Sequence, residues 1–434
     1  MKETWIESTA PGRLDVMGGI ADYSGSLVLQ MPIRENTTVR LRLRNDFQCT
    51  IVSRVDGQTL EASVDYRTIL NNGKPDFQHA QQFFRKNEGI SWSAYVLGCA
   101  IVLQKQKLID FKGADFIIES SVPLGKGVSS SASIEVAVMK ALQQAFGLQF
   151  AGTELPTLAQ TAENLVVGAA CGLMDQLASY FGQRGKLLPI VCQPDLLKEP
   201  IDLPREIHFI GIDSGVRHSV GGSSYTDVRC AAFMGYSIIA RHLGVEADEL
   251  FHAGVSGVRA NLPFSGYLSN ISVNQYESEF EKLLPEKMSG AEFIQTIGHI
   301  IDSVTQVNPD VSYSIKACAS HPVYENHRVH TFMEILQSWK STQPEVIQHA
   351  LRTLGDLMTL SHQSYSACGL GSERTDEIVE QFQKFPSVAG AKITGGGSGG
   401  TVCALAVGDE GINDALRVHS HFSKKYMIPL RFFK

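Results

Sequence analysis

The sequence lacks the features that mark secreted and membrane proteins. Its 434 residues include only eight cysteines, and no two of them are spaced as in a CxxC motif. A compact disulfide scaffold is excluded, because such scaffolds are short and dense in cysteine. No apolar run reaches the roughly 18 residues that cross a bilayer, and Met1–Trp5 has no apolar stretch typical of a signal peptide. We therefore expect a cytoplasmic protein with reduced cysteines and no membrane partner.

Signatures of several binding classes are also missing. The Walker A pattern GxxxxGK[ST] does not occur, and no CxxC pair is present to begin a cysteine-ligated zinc motif. The 38 basic and 45 acidic side chains give a net charge of −7. Nucleic-acid phosphates are bound by clustered Lys and Arg, which this composition does not favour. These absences argue against P-loop NTPases, zinc sites of that type and nucleic-acid partners.

Alternating apolar and polar residues predict strands in the first half of the chain. Segments 37–44 and 47–55 alternate in this way and predict two strands paired around an Asn-Asp turn. Residues 114–119 predict another strand, which runs into a segment rich in glycine and serine. Helical spacing then extends over 134–145, and Gly147 ends the predicted helix.

The pattern changes near Pro204, and the length of the chain suits two domains of about 100–200 residues each. A buried strand is predicted at 207–213. The segments that follow predict helices at 224–243, 287–305, 326–338, 345–364 and 373–384, and strands at 388–394 and 401–407. We therefore predict an α+β protein with an N-terminal domain at 1–204 and a C-terminal domain at 205–434.

The strongest chemical signal is Pro123–Ser133, which reads PLGKGVSSSAS between a predicted strand and a predicted helix. Gly125 and Gly127 allow the backbone to approach an anion closely. The helix that begins in the serine run offers unpaired N–H groups and a positive dipole end to a phosphate. An ordinary serine-capped helix after a glycine turn is the alternative.

A second glycine run, Thr394–Gly400, formally contains GxGxxG. A dinucleotide-binding fold would place a helix directly after it, whereas residues 401–407 predict a strand. A glycine loop that closes beside the first phosphate loop fits better, and a plain hairpin turn is the alternative.

Two further segments carry isolated charges. Pro11–Gly25 contains Arg13, Asp15 and Asp22 in a stretch that we predict to be a loop, where either a functional site or a simple ion pair would fit. In the apolar run after Cys171, the acidic Asp175 is either a helix cap or a carboxylate kept partly dry for chemistry.

Together these segments resemble the GHMP small-molecule kinases, and within them the galactokinase-like branch, whose first motif reads PGRxNLIGEHTDYNGG. The first segment, PGRLDVMGGIADYSG, is still more similar to the kinase half of plant L-arabinokinases. The matching segments are, in order, Pro11–Gly25, Trp92–Gly98, Pro123–Ser133, Val216–Ser219 with Tyr225, Leu357–His362 and Thr394–Gly400. This resemblance implies a ribosomal-S5-like N-terminal domain and a ferredoxin-like C-terminal domain.

The resemblance also implies an activity, ATP-dependent phosphorylation of the anomeric hydroxyl of a monosaccharide. Asp175 matches the catalytic base, which removes or orients the proton of that hydroxyl. Arg13 matches the cation that stabilises charge on the transferred phosphoryl group. Glu163 and the hydroxyl of Ser131 match the ligands of Mg²⁺, in agreement with the needs of phosphoryl transfer.

Binding roles carry over in the same way. Asp22 and Tyr225 match residues that contact the sugar, and Trp92 matches a residue beside the adenine. The ATP phosphates would be held by the loop residues Gly125, Lys126, Gly127, Val128, Ser129, Ser130 and Ser131.

One departure from the galactokinase pattern concerns the sugar. Galactokinases have Glu-His where this chain has Gly19 and Ile20, and those two side chains face the galactose 6-hydroxyl region. We therefore predict an L-arabinose kinase, since L-arabinopyranose lacks the C6 hydroxymethyl group. A galactokinase with an unusual pocket is one alternative. A non-catalytic sugar sensor on the same fold is the other, although such sensors tend to lose phosphate-loop residues that are intact here.

Overall fold

The computed structural model describes residues 4–216, 223–340 and 343–434. The strands of these residues are β1 (Ile6–Met17), β2 (Leu27–Arg44), β3 (Gln48–Val55), β4 (Gln58–Asp65), β5 (Gly113–Ser120), β6 (Lys186–Val191), β7 (Leu196–Leu197), β8 (Ile201–Asp202), β9 (Ile207–Asp213), β10 (Met288–Ser289), β11 (Ser312–Tyr313), β12 (Val388–Ile393), β13 (Thr401–Val407) and β14 (Phe432–Phe433). The helices are α1 (Phe77–Lys86), α2 (Ala94–Lys107), α3 (Ser130–Phe146), α4 (Glu154–Ala162), α5 (Met174–Phe181), α6 (Ser223–His242), α7 (Ala247–Ser256), α8 (Val273–Gln275), α9 (Gly290–Thr296), α10 (Ile315–Gln337), α11 (Pro344–Ala367), α12 (Glu373–Phe382) and α13 (Gly408–Tyr426). The predicted α+β class is confirmed.

The chain divides into two compact units that are not simple halves of the sequence. Unit 1 consists of Met1–Arg13 and Pro32–Arg184, and unit 2 consists of Leu14–Met31 and Gly185–Lys434. Strands β1 and β2 therefore each contribute residues to both units. The domain boundary near Pro204 stays a prediction.

In unit 1, the strands lie in the order β4-β3-β5-β2, with β3 parallel to β5 and the other neighbours antiparallel. Helices α2, α3 and α4 contribute apolar side chains to the core beside this sheet. The predicted pairing of 37–44 with 47–55 is wrong, because β5 lies between β2 and β3. Asp115 of β5 stands opposite Arg42 of β2 and binds it at 2.7 Å, a cross-strand ion pair that favours this order.

In unit 2, an antiparallel sheet has the order β12-β13-β9-β14. Helix α11 packs directly on β12, since a Cβ atom at Gly355 would overlap the carbonyl oxygen of Ala389. The first residues of β2, Leu27–Gln30, pair with β6. Side chains of α12 and α13 form an apolar core against the β12-β13-β9-β14 sheet. A second apolar core of unit 2 includes side chains of α6, α7, α10 and α11.

The sequence located several elements closely. Helix α3 ends at Gly147, which adopts φ 63° as a helix-terminating glycine does. The strand predicted at 207–213 is β9, and β13 spans the predicted 401–407. The helix predicted at 287–305 is mostly wrong, because α9 covers only Gly290–Thr296. Within the described ranges, no helix is long and apolar enough to cross a membrane.

Candidate active site

The phosphate loop predicted from the sequence links β5 to α3 in unit 1. Gly125 and Gly127 adopt φ 67° and 70°, and Ser129 adopts the left-handed region at φ 60°. Ser129 precedes α3, but its side chain does not cap the helix, and its buried Oγ has no partner among the described residues. The serine-cap interpretation is therefore wrong. The first backbone N–H groups of α3 and the buried hydroxyl of Ser129 can therefore bind an anion such as a phosphate group.

Arg13 and Asp175, predicted separately, form an ion pair in unit 1. The guanidinium of Arg13 donates from Nε and Nη2 to Oδ1 of Asp175, at 2.9 and 2.7 Å. Its Nη1 donates to the carbonyl oxygen of Gly127 at 2.7 Å, so the same side chain also contacts the phosphate loop. Arg13 is 2% exposed, whereas the side chain of Asp175 is 24% exposed. A buried cation thus holds a carboxylate that solvent or a substrate can still reach.

The position of Asp175 tests the helix-cap interpretation of its sequence context. Helix α5 begins at Met174, its cap residue is Leu173, and no side chain caps it. The helix-cap interpretation of Asp175 is therefore wrong. The segment around Arg13 also differs from the prediction, because residues up to Met17 belong to strand β1 rather than to a loop.

Glu163 lies in a buried polar cluster beside Ser131. The amide Nε2 of Gln176 donates to Oε2 of Glu163 at 2.7 Å and to Oε2 of Glu135 at 3.1 Å. Burial raises the pKa of Glu163; a hydrogen bond with Ser131 acts in the opposite direction, and the charge of Asp175 adds to the rise. Burial and the neighbouring Glu163 also raise the pKa of Glu135. Two acidic groups are thus held close together with little solvent.

These groups fit a hard divalent cation. A carboxylate and a hydroxyl supply the oxygen ligands that Mg²⁺ prefers, and a bound cation would offset the burial that raises the pKa of Glu163. In the part of the chain that the structure describes, no three His, Cys, Asp or Glu side chains form a metal-binding group. A cation held by Glu163 and Ser131 would therefore take its other ligands from water and from substrate oxygens.

Three other predicted ATP contacts also belong to unit 1. Trp92 lies in a short helical turn, Glu88–Ser93, just before α2 and is half-buried against the apolar core of the unit. Lys126 is half-buried in the phosphate loop. Val128 is buried, and its carbonyl oxygen accepts a hydrogen bond from the backbone N–H of Arg13 at 3.1 Å.

The predicted sugar contacts belong to unit 2. Asp22 lies on a tight helical turn, Gly19–Ser24, and its Oδ1 accepts a hydrogen bond from the backbone N–H of Tyr23 at 2.7 Å. The ring of Tyr225, on α6, stands perpendicular to that of Tyr23 with the centroids 6.2 Å apart. Tyr23 thus contacts both predicted sugar-binding residues, Asp22 through its backbone N–H and Tyr225 through its ring. The motif residues 217–219 lie outside the described residues.

A buried ion pair, to which no sequence motif pointed, lies beneath this turn. Nζ of Lys392 binds Oδ2 of Asp15 at 3.0 Å, and both side chains are fully buried. Oδ1 of Asp15 accepts hydrogen bonds from the backbone N–H of Gly19 and from the side chain of Gln30, at 3.0 and 2.8 Å. Lys392 interrupts the apolar strand β12, and this interruption is the signal that would have revealed it.

The second glycine run connects β12 to β13, which are antiparallel neighbours. The hairpin interpretation of Thr394–Gly400 is therefore confirmed for the connection itself, and no helix follows as a dinucleotide-binding fold would require. That this loop closes on a nucleotide remains a prediction.

Comparison with known proteins identifies the family of the chain. The sequence matches the GHMP kinases N terminal domain over residues 94–183 and the GHMP kinases C terminal domain over residues 342–424. It is 38% identical to an L-arabinokinase of Arabidopsis thaliana over 93% of this chain and 43% of that protein. It is 30% identical to a galactokinase of Pasteurella multocida over 92% of this chain and 84% of that protein. The chain thus spans less than half of the arabinokinase but most of the galactokinase.

Solved structures share the fold at lower identity. The galactokinase of Lactococcus lactis, complexed with galactose, superimposes with a TM-score of 0.73 at 22% identity, covering 99% of this chain and 92% of that one. A mevalonate kinase of L. major gives a TM-score of 0.57 at 15% identity, covering 98% and 94%. With the two matched domains, the phosphate loop and a galactokinase relative covered over most of its length, the chain belongs to the GHMP kinase family.

Proposed function

We propose that the protein is an ATP-dependent sugar 1-kinase and that its preferred substrate is L-arabinose. The observation that carries the proposal is the Arg13–Asp175 ion pair, because Arg13 also binds the Gly127 carbonyl of the phosphate loop. The Arg13 side chain thus links the partly exposed carboxylate of Asp175 to the predicted phosphate loop. Kinases of this family use ATP, and the relatives named L-arabinokinase and galactokinase support a monosaccharide as the acceptor.

Asp175 would act on the acceptor and Arg13 on the phosphoryl group. The carboxylate of Asp175 accepts or orients the proton of the anomeric hydroxyl, which is then a better nucleophile. The guanidinium of Arg13 stabilises negative charge that spreads over the transferred phosphoryl oxygens. The hydrogen bond from Arg13 to Gly127 fixes the guanidinium before either substrate binds.

The loop and its neighbours would hold the nucleotide. The backbone N–H groups at the start of α3 and the hydroxyl of Ser129 bind phosphate oxygens, and Trp92 lies beside the adenine. Glu163 and Ser131 would hold Mg²⁺, which when bound neutralises charge on the phosphates. Gln176 keeps the Glu163 carboxylate in place through its 2.7 Å hydrogen bond.

The sugar would be selected by the turn that carries Asp22. Asp22 and Tyr225 would bind hydroxyls that L-arabinopyranose and D-galactose share. Ile20 is 1% exposed and packs in an apolar cluster with Tyr23, so the side chain at position 20 offers no polar partner to a 6-hydroxyl. An unpaired buried hydroxyl costs about 1–3 kcal/mol, which disfavours galactose.

The catalytic alternative is a galactokinase, and the galactokinase relatives, which the chain covers over 84% and 83% of their length, favour it. The sensor alternative has less support, because the phosphate loop, Glu163 and Asp175 are all present. Among the described residues, none of the eight cysteines forms a disulfide bond, which supports our proposal that the protein works in the reducing cytoplasm.

The acceptor is tested by measuring ATP consumption and sugar 1-phosphate formation across a panel of aldoses. We expect kcat/KM for L-arabinose to exceed that for D-galactose at least about tenfold, since an apolar wall typically discriminates about 10–200-fold. Equal efficiency with the two sugars would favour the galactokinase alternative. Sugar binding without any ATP consumption would favour the sensor.

The metal site is tested by Ser131→Ala and Glu163→Gln. Each variant should need a higher Mg²⁺ concentration for half-maximal rate and should bind the Mg²⁺-nucleotide complex more weakly in calorimetry, since each loses one protein ligand. Ser121→Ala, an exposed serine just before the loop, is the matched control. Mg²⁺ titrations that match the wild type in both variants would remove Glu163 and Ser131 from the metal site.

A further inference from the structure

Tyr365 of α11 contacts the turn that carries the predicted sugar contacts. Its side chain is fully buried in unit 2. The hydroxyl oxygen of Tyr365 accepts a hydrogen bond from the backbone N–H of Ile20 at 2.9 Å, and the hydroxyl donates to the carbonyl oxygen of Gly395 at 3.0 Å. One phenol group thus fixes both the start of the turn and the glycine loop between β12 and β13.

The same hydroxyl occupies the space that a side chain at position 19 would need. A Cβ atom built on Gly19 would overlap Oη of Tyr365 and would lie 2.8 Å from its Cζ and 2.8 Å from Oδ2 of Asp15. Gly19 also adopts φ +39°, which L side chains rarely adopt. Residue 19 must therefore be glycine for as long as Tyr365 keeps its place.

The surroundings hold Tyr365 firmly. Nζ of Lys392 lies 5.1 Å from the centre of its ring, and the ring of His321 stands perpendicular to it at 5.3 Å. Burial raises the pKa of Tyr365, so the hydroxyl remains protonated and keeps donating to Gly395. The phenol is a fixed part of the turn and not a side chain that swings aside.

We infer that Tyr365 is a specificity-determining residue, whose hydroxyl replaces the side chain of residue 19 and closes the turn beside Asp22 against any sugar larger than a pentose. The inference rests on the proposed function, which places this turn beside the sugar. Part of the sugar selection that the Gly19-Ile20 sequence predicts is thereby assigned to Tyr365, which lies 345 positions after Ile20 in the chain.

The steric part is tested without any substrate, by a double-mutant cycle of Gly19→Ala and Tyr365→Phe. Alanine at position 19 should destabilise the protein in both backgrounds because of its positive φ. Its effect on the unfolding equilibrium constant should be at least tenfold smaller when residue 365 is Phe, since the overlapping oxygen is gone. Additive effects in urea unfolding would overturn the inference. If Gly19→Ala alone does not fold, recovery of folded protein in the double variant supports it and failure to recover opposes it.

The specificity part is tested by the ratio of kcat/KM for L-arabinose to that for D-galactose. Tyr365→Phe and Tyr365→Leu both keep Gly19, and each should lower this ratio at least about fivefold. The ratio of the two sugar dissociation constants, measured by calorimetry without ATP, should fall in the same direction. A loss of rate with both ratios unchanged would mean a purely structural role and would overturn the inference.

The matched control is Tyr236→Phe. Tyr236 is also buried in unit 2, and its hydroxyl donates to the carbonyl oxygen of Pro263 instead. This variant should leave the sugar ratio unchanged. If the wild type phosphorylates neither sugar, the proposed function fails. If the wild type phosphorylates L-arabinose but substitutions at residue 365 do not change the kcat/KM ratio of the two sugars, only this inference is refuted.

A gain of function gives a stricter test. The galactokinase residues at positions 19 and 20, introduced as Gly19→Glu with Ile20→His, should not yield an active protein while Tyr365 is present. Adding Tyr365→Leu should restore activity and shift the preference towards D-galactose. An active double variant with Tyr365 intact would show that the hydroxyl does not control position 19.

Discussion

Replacing Asp175 with Asn is expected to lower kcat by a factor of about 10²–10⁴, the usual contribution of a positioned general base. The amide oxygen of Asn can still accept hydrogen bonds from Arg13, which the carboxylate now receives at 2.7 and 2.9 Å. The fold and the position of Arg13 should therefore be retained. Steady-state rates with saturating sugar and ATP, together with a thermal melt of the same sample, give the measurement.

The size of the effect separates two roles. An Asp175→Asn variant within threefold of the wild-type kcat would show that the carboxylate does not act as a base. A large loss of kcat with unchanged melting and unchanged nucleotide affinity would assign it to the chemical step. Asp202→Asn, which changes an exposed carboxylate on β8, serves as the control and should leave kcat unchanged.

Replacing Lys392 with Met is expected to reduce the free energy of unfolding by about 3–5 kcal/mol, because it leaves the buried carboxylate of Asp15 without its cation. The methionine side chain fills a similar volume, so the loss reports the missing charge more than a cavity. Denaturant titration followed by tryptophan fluorescence measures the change. Lys424→Met, on an exposed position of α13, is the control.

A second substitution identifies the origin of the loss. Asp15→Asn combined with Lys392→Met removes the unpaired charge while keeping an acceptor for Gly19 and Gln30, so part of the lost stability should return. A double variant less stable than Lys392→Met alone would contradict the ion-pair explanation. Wild-type stability in Lys392→Met would show that the pair contributes nothing to folding.

Local patterns in the sequence located the elements that carry the candidate site. The conformation of the predicted phosphate loop follows from its glycines, its serines and its place between a strand and a helix. The end of α3 follows from Gly147. Arg13 and Asp175 were identified as candidates, but their pairing was not, because 162 positions separate them and neither segment carries a sign of the other.

The parts that failed depend on tertiary neighbours. Local alternation located β2 and β3 but could not show that β5 lies between them, since that order arises from cross-strand partners such as Arg42 and Asp115. Tyr365 gave no local signal either. Its importance comes from the missing side chain of Gly19, which only the folded chain brings near.

The division of the chain also affects its synthesis. Residues 14–31 emerge from the ribosome before the bulk of unit 1, yet they belong to unit 2. Asp15 precedes Lys392 by 377 positions, and at about 5–20 residues per second the translation of that interval takes about 20–80 seconds. During this time residues 14–31 have been synthesised, but Lys392, the cation that pairs with Asp15, has not. Translation that stops before codon 392 therefore leaves Asp15 without this partner. Completion of unit 2 is thus a late event that requires translation past residue 392.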